Sequence, residues 1–282
     1  MTGTLTLCGT PIGNLEDISA RVLRILAEAD IIAAEDTRHT IKLLNHFKIT
    51  TPMMSYHAHN QGEAGRKICS LLEQGRNVAL VTDAGMPGIS DPGQQLVALC
   101  RGRGIPVTAA PGPTALATAV ALSGMVAKEF VFLGFLPQQK KERAQILESV
   151  KDLPMHYVLY EAPHHLAGTI EALRRVLGER KLSLLRELTK VYEETQEFAD
   201  FTECLAALSQ VAPRGEYVIV VAGANEVDRV AKWENVSISD HVNAYIKQGQ
   251  DKKDALKSVA RDLGISKSRV YNALLRGDDK AD

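Results

Sequence analysis

Four short stretches in the first 120 residues carry the side chains and backbone freedom from which a binding or group-transfer site is made. The densest is Val81-Thr82-Asp83-Ala84-Gly85-Met86-Pro87-Gly88-Ile89-Ser90-Asp91-Pro92-Gly93, with three Gly, two Pro and two Asp in thirteen residues. Glycine lets the backbone approach a ligand and leaves amides and carbonyls free to contact it, and a purely structural loop rarely needs this density. A second stretch, Ala34-Glu35-Asp36-Thr37-Arg38-His39, places adjacent ionisable groups where they could bind a polar substrate or move a proton. The same residues also read as a helix start, with Asp36 or Thr37 capping a helix that runs through Leu44. The third is Gly9-Thr10-Pro11-Ile12-Gly13-Asn14-Leu15-Glu16-Asp17, and the fourth is Ala110-Pro111-Gly112-Pro113-Thr114-Ala115. Neither contains Gly-x-Gly-x-x-Gly, and no Gly-Lys-Ser/Thr occurs in the chain, so the dinucleotide and Walker A signatures are absent.

Two later stretches add candidates. Tyr160-Glu161-Ala162-Pro163-His164-His165 offers a carboxylate and two imidazoles. Adjacent histidines are expected to point apart and to suit a single metal poorly, so no metal is expected. Arg186 and Lys190, four residues apart, could clamp phosphates or form a solvated charged face.

Side chains so scattered need a scaffold that gathers loops, and the pattern supplies one. Short β-rich runs alternate with helical periodicity, which points to an α/β architecture. Thr4–Cys8, Ile31–Ala34, Val78–Val81 and Pro106–Ala110 read as strands, with Ser19–Ala29, Arg66–Glu73 and Gln94–Arg101 as helices. In such sheets, ligands bind beyond the carboxyl ends of the strands, where all four glycine- or acid-rich stretches fall. A second unit follows the Pro111-Gly112-Pro113 turn. It has strands at Phe130–Phe135, His156–Tyr160, Lys181–Leu185 and Tyr217–Ala222, and helices at Thr114–Leu122, Lys140–Val150, Leu166–Leu177 and Phe201–Ser209. The expected divisions are an α/β domain over 1–112, a second over 113–228 and a helical tail over 229–282. Within the tail, Asp240–Gln248, Lys252–Leu263 and Ser266–Leu275 read as helices, the last two as a helix–turn–helix pair about Gly264. The final Asp278–Asp282 should fray.

The whole chain has 282 residues, 45% apolar and 24% charged, which excludes wholesale disorder. Lys plus Arg number 33 against 34 Asp plus Glu, a net charge of -1, so this is no basic nucleic-acid coat protein. Cys8, Cys69, Cys100 and Cys204 form no Cys-x-x-Cys pair and suit a reduced, cytoplasmic setting. The start lacks a basic, apolar leader pattern. The uncharged run Gly104–Ala127 is long enough for a membrane span, but Pro106, Pro111 and Pro113 break it. A buried strand, turn and helix are expected there instead.

Taken in order, the Cys8–Asp17, Ala34–Arg38, Val81–Gly93 and Pro111–Ala115 stretches, with Phe132-Leu133-Gly134-Phe135-Leu136-Pro137 and Tyr160–His164, resemble the tetrapyrrole methylase superfamily. Within it, they resemble the branch that methylates ribosomal RNA. The resemblance spans about residues 4–225. It implies two α/β domains with S-adenosylmethionine in the cleft between them, a small C-terminal helical unit outside it, and a homodimer. It also implies 2′-O-methylation of a cytidine ribose in the decoding region of 16S rRNA, within a small ribosomal subunit. Cofactor contacts carry over to Pro11, Gly85, Met86, Pro87, Ile89, Thr114, Ala115, Ala162, Ala222 and Gly223. Typical members of the superfamily carry Gly-Asp-Pro where this chain has Gly85-Met86-Pro87, so an acidic ligand is missing there and Asp83 is the candidate substitute.

Methyl transfer from a sulfonium is an in-line displacement that positioning alone speeds greatly, by about 7–11 kcal/mol of prepaid entropy. A ribose hydroxyl also needs a base, typically worth about 10²–10⁴-fold. Glu35, Asp36 and Arg38 are the first candidates for handling the acceptor, with Lys190 and Arg186 next. Glu161 and His164 are further candidate bases. For RNA phosphates the candidates are Arg186 and the tail residues Lys252, Lys253, Lys267 and Arg269, with Tyr271 as a possible stacking surface. Two other readings compete: methylation of a tetrapyrrole or another small molecule, and a ligand-sensing DNA-binding regulator.

Overall fold

The structure is a computed structural model that describes residues 2–125, 129–224, 236–247 and 249–276. Its first sheet is wholly parallel and contains β1 (Leu5–Cys8), β2 (Ile31–Ala34), β3 (Met53–Ser55), β4 (Val78–Val81) and β5 (Val107–Ala110), in the order β3-β2-β4-β1-β5. Helices α1 (Ala20–Glu28), α2 (Thr37–His46), α3 (Gln61–Glu73) and α4 (Gln94–Gly102) connect the strands. Strand alternation splits the core. Leu5, Ala33, Val78 and Leu80 face one apolar cluster with Ile68, Leu72 and Leu96, while Cys8, Ile32, Ala34, Ala79 and Val81 face another with Val22, Leu26 and Leu44. Both faces are covered, as a parallel sheet requires.

The chain leaves β1 for β2 on one side and leaves β4 for β5 on the other. The order therefore reverses between the adjacent strands β1 and β4, the position in an open parallel sheet where a ligand crevice forms. Thr10 and Gly85, just beyond these strands, close the crevice floor with reciprocal backbone hydrogen bonds of 2.9 and 3.1 Å. β3 was not anticipated: Met53-Met54-Ser55 is only three residues long and has no β-branched or aromatic residue to signal a strand. The expected buried strand at 106–110 is instead the sheet edge, where Thr108 and Ala109 face solvent.

The second sheet is mixed. β6 (Phe130–Phe135), β7 (His156–Glu161), β8 (Leu182–Arg186), β9 (Glu194–Phe198) and β10 (Tyr217–Val221) lie in the order β6-β7-β10-β8-β9. β6 and β7 are parallel, but β10 runs antiparallel to both β7 and β8, and β9 antiparallel to β8. One face packs on α6 (Lys140–Val150), α7 (Leu166–Leu177) and α8 (Phe201–Gln210) through Leu147, Leu166, Ile170, Leu173 and Phe201. The other face, Val158, Leu185, Val218 and Val220, packs on Ala119 of α5 (Ala115–Leu122) and on Ile12 of the first loop. Ile12 thus ties the first half of the chain to the second.

Three further helices, Ile238–Lys247, Lys252–Asp262 and Lys267–Arg276, bury their own cluster of Ile238, Val242, Leu256, Val259 and Val270. Beside it, the buried pair His241–Asp262 (3.1 Å) is joined by the Tyr245 hydroxyl, which donates to Asp262. The expected boundary at 228/229 and the frayed end 278–282 lie outside the described residues. Among the described residues, no helix is long and apolar enough to cross a membrane.

Candidate active site

The loops that follow β1, β4 and β5 meet almost atom on atom. A Cβ on Gly9 would lie 2.7 Å from the Gly112 backbone and 2.7 Å from the Met86 sulfur, and one on Gly112 would lie 2.7 Å from the Gly9 carbonyl oxygen. Only glycine permits that approach. Gly85 sits at φ 78°, a backbone region that side chains resist. The Thr10 hydroxyl locks the same junction by donating to the Thr82 carbonyl at 3.1 Å. Thr114 caps α5, its Oγ1 accepting from the Ala117 amide at 3.1 Å.

These contacts frame a cavity of about 490 Å³ between the two sheets. Asp83, Ala84, Gly85, Met86, Ile89, Asp91, Thr114 and Ala115 line it from the first half, and Phe135, Tyr160, Glu161, Ala162, Leu188, Lys190, Glu216 and Val218 from the second. Phe132 and Phe135 meet the Tyr160 ring edge-on at 5.0 and 5.6 Å, and the Tyr160 hydroxyl accepts from the Leu116 amide at 3.0 Å. Among the described residues, three carboxylates (Asp83, Asp91 and Glu216) face this cavity against one cation, Lys190, while the buried Glu161 carboxylate is held by the Thr169 hydroxyl and the Ala162 amide. An apolar, acid-rimmed chamber fits a ligand with a flat ring system and a positive charge, and S-adenosylmethionine has both.

A second cavity, of about 550 Å³, adjoins it. Ile12, Asp83, Ala84, Lys190 and Glu216 line both, so the two spaces meet along these residues.

Asp83 links the chamber to the acid cluster behind it. Its Oδ1 accepts from the Asp36 amide at 3.2 Å, and its own amide donates to the Glu35 carboxylate at 3.5 Å. Burial, then the negative charges of Asp91, Asp83 and Asp36, hold the Glu35 carboxyl above its ordinary value. Burial and the charge of Asp83 do the same to Asp91. Asp36 behaves oppositely. It caps α2 by accepting from the Arg38 amide at 2.8 Å, and it holds the Arg38 guanidinium at 2.8 Å. Those bonds to Arg38 lower its carboxyl to about 2. A carboxylate that acidic is a feeble base at neutral pH, so Glu35 is the stronger candidate of the pair.

Lys190 lies in a strained turn in which Glu187 (φ 52°) and Thr189 (φ 66°) are both left-handed. Its ammonium donates to Glu187 at 3.0 Å and to Glu216 at 2.8 Å. Partial burial would lower its pKa, but the bonds to Glu216 and Glu187 outweigh that and raise it. Lys190 is therefore a fixed cation rather than a proton acceptor. Arg186 does not join it in a clamp: the turn sends the guanidinium to Glu194 at 2.7 Å instead.

Of the expected cofactor contacts, Asp83, Gly85, Met86, Ile89, Thr114, Ala115 and Ala162 line the first cavity. Pro11 lines the second cavity, and Pro87 is buried beside Met86 without lining either. Ala222 and Gly223 are misplaced. The expectation assumed that the last strand points its carboxyl end at the cleft, as in the first sheet. Because β10 is antiparallel, its amino end (Glu216–Val218) lines the cavity, while Ala222 and Gly223 lie at the far end, against Lys181 and His156. Glu35, Asp36 and Arg38 line neither cavity, and the first two reach the site through Asp83. His164 and His165 do not point apart: their rings tilt together with centroids 4.0 Å apart. Among the described residues, no group of three or more His, Cys, Asp or Glu side chains could hold a metal ion. Lys252, Lys253 and Arg269 are exposed on the C-terminal helices, and Lys267 is half-buried.

The sequence profile of the tetrapyrrole (corrin/porphyrin) methylases matches residues 4–201. The chain is 46% identical over 272 residues to a protein of Halalkalibacterium halodurans, covering 96% of this chain and 94% of that one. It is 43% identical over 274 residues to one of Bacillus subtilis, covering 96% and 94%. Both are named ribosomal RNA small subunit methyltransferase I. Among solved structures, diphthine synthase aligns with a TM-score of 0.62 at 15% identity, over 78% of this chain and 90% of that one. Uroporphyrin-III C-methyltransferase from Thermus thermophilus, complexed with S-adenosyl homocysteine, aligns at 0.55 and 16%, over 78% and 97%. The fold and the cleft thus define a methylase of the tetrapyrrole type. The chain belongs to the tetrapyrrole methylase family and, within it, to the group of ribosomal RNA small subunit methyltransferase I proteins.

Proposed function

We propose that the protein transfers a methyl group from S-adenosylmethionine to the 2′-hydroxyl of a cytidine in the decoding region of 16S rRNA, within a small ribosomal subunit. The observation that carries this reading is the pair of adjoining cavities that share five lining residues, one acid-rimmed and apolar, the other open toward the basic side chains of α2. Donor and acceptor entering from opposite sides is the arrangement an in-line transfer needs. The name shared by the relatives, ribosomal RNA small subunit methyltransferase I, supports small-subunit ribosomal RNA as the acceptor.

Met86, Ile89, Ala115, Ala162 and Leu188 would hold the adenosyl portion, and Asp83 and Asp91 the positive charge. When bound, this cofactor supplies an electrophilic methyl group on a sulfonium, and no metal is needed. The protein's own part is to orient and to manage the proton. Glu35, raised by burial and by neighbouring carboxylates, is the proposed final acceptor of the hydroxyl proton; its carboxylate lines neither cavity and accepts from the Asp83 amide, so the proton reaches it through intervening water. Lys190, fixed by two carboxylates, keeps a positive charge between the cavities that favours the oxygen as it becomes negative. Arg38, with 90% of its side chain exposed, and the cations of the C-terminal helices meet RNA phosphates. The uncharged edge of β5 together with exposed Leu122 supports association of two copies.

The test is incorporation of labelled methyl from S-adenosylmethionine into small ribosomal subunits, naked 16S rRNA and uroporphyrinogen, followed by mass mapping of the modified nucleoside. A label in a cytidine ribose of the decoding region supports the reading. A label in uroporphyrinogen alone overturns it.

A further inference from the structure

The second cavity extends beyond the residues it shares with the first, toward α2. Its back wall carries Thr82, 2% exposed, whose Oγ1 has no hydrogen-bond partner among the described residues. A buried hydroxyl left unpaired costs about 1–3 kcal/mol, a cost that a polar atom of a ligand in the cavity would remove. Leu15 and Leu43 supply apolar sides, and Lys42 and His39 stand exposed at its rim on α2. A volume of about 550 Å³ is that of a single-ligand pocket, too small for a stacked duplex.

We infer that this cavity takes the acceptor nucleoside alone, extruded from the RNA, with Thr82 reading the nucleoside and Lys42 and His39 its flanking phosphates. This rests on the proposed function and adds where and in what form the substrate binds. Apolar contact from Leu15 and Leu43 replaces the stacking lost on extrusion. The Thr82 hydroxyl both donates and accepts, so it pairs with either kind of polar atom on a pyrimidine edge or ribose. The junction at Asp83 and Ala84 then leaves the sugar facing the first cavity.

The experiment uses the full chain and three variants, Thr82→Val, Leu15→Trp and Lys42→Ala. For each, calorimetric affinity for S-adenosylmethionine, melting temperature, and kcat and KM on small subunits and naked 16S rRNA are measured. Thr82→Val should melt no lower than wild type, because it removes an unpaired buried hydroxyl, yet lose about tenfold or more in kcat/KM with unchanged cofactor affinity. Leu15→Trp, filling the mouth from an exposed position, should raise KM at least tenfold, also with unchanged cofactor affinity. Lys42→Ala should raise KM and reduce the salt slope of RNA binding by about one. Wild-type kcat/KM in both Thr82→Val and Leu15→Trp would overturn the inference while leaving the proposed function standing. A wild-type protein that methylates neither RNA substrate would remove both.

Discussion

Replacing Gly112 with alanine tests whether the cofactor chamber depends on backbone-to-backbone contact of its loops. The added Cβ would sit 2.7 Å from the Gly9 carbonyl oxygen and 2.9 Å from the Gly9 carbonyl carbon and Cα. None of these atoms belongs to a flexible side chain, so the loops themselves must part by several tenths of an ångström. The partner loop cannot follow freely, because Thr10 is pinned to Gly85 by two backbone bonds and to the Thr82 carbonyl by its hydroxyl. Overpacking of this kind costs about 1–3 kcal/mol. For a chain of this size that corresponds to a fall in melting temperature of roughly 2–12 °C. If about 1.4 kcal/mol of the strain opens the loops around the ligand, affinity for S-adenosylmethionine falls about tenfold. Gly102 is the control: it lies in α4, and its Cβ would meet nothing within 4 Å. Gly102→Ala should therefore hold or raise stability by up to about 1 kcal/mol. Thermal unfolding and titration calorimetry on both variants decide the matter. A Gly112→Ala protein that melts within 1 °C (about the resolution of such a scan) of wild type and binds the cofactor equally would refute the argument.

Other outcomes follow from the same site. Glu35 has a raised carboxyl pKa in the folded protein, so its contribution to stability is full below the ordinary 4.5 and is lost as pH rises through the folded value. Glu35→Gln should hence stabilise the protein at pH 7 in a denaturant titration while removing the acid limb of the kcat/KM profile; a retained limb would exclude Glu35 as the base. Asp36 is held at about 2, so its contribution is present above 3.8 and is lost as pH falls toward 2. Asp36→Ala should lower stability at neutral pH by removing the α2 cap and the partner of Arg38, and equal melting curves at pH 7 would contradict that. The buried Cys8, Cys100 and Cys204 thiols, pushed up to about 12 by burial above all, should resist iodoacetamide at pH 8 until the protein is unfolded. Removing residues 232–282 should weaken RNA binding and leave cofactor affinity intact; unchanged turnover on small subunits would assign those helices another role.

What the sequence determined was local. Gly-Pro-Asp clusters after apolar runs marked the Val81–Gly93 and Pro111–Ala115 loops, and the Asp36-Thr37 pair announced a helix cap, because caps and turns depend on residues within three or four positions of each other. The alternation of strand and helix set the α/β class for the same reason. Tertiary structure decided what depends on distant partners. The polarity of β10 is fixed by hydrogen bonds to β7 and β8, more than 30 residues away in the chain, and its apolar run reads alike in either direction. That polarity brought Glu216 to the cleft, paired it with Lys190 and sent Ala222 and Gly223 away. The shift of Glu35 against Asp36, adjacent carboxylates of nearly equal intrinsic acidity, came from burial on one side and Arg38 on the other. Charge and dielectric are properties of the packed neighbourhood, and only the folded chain creates one.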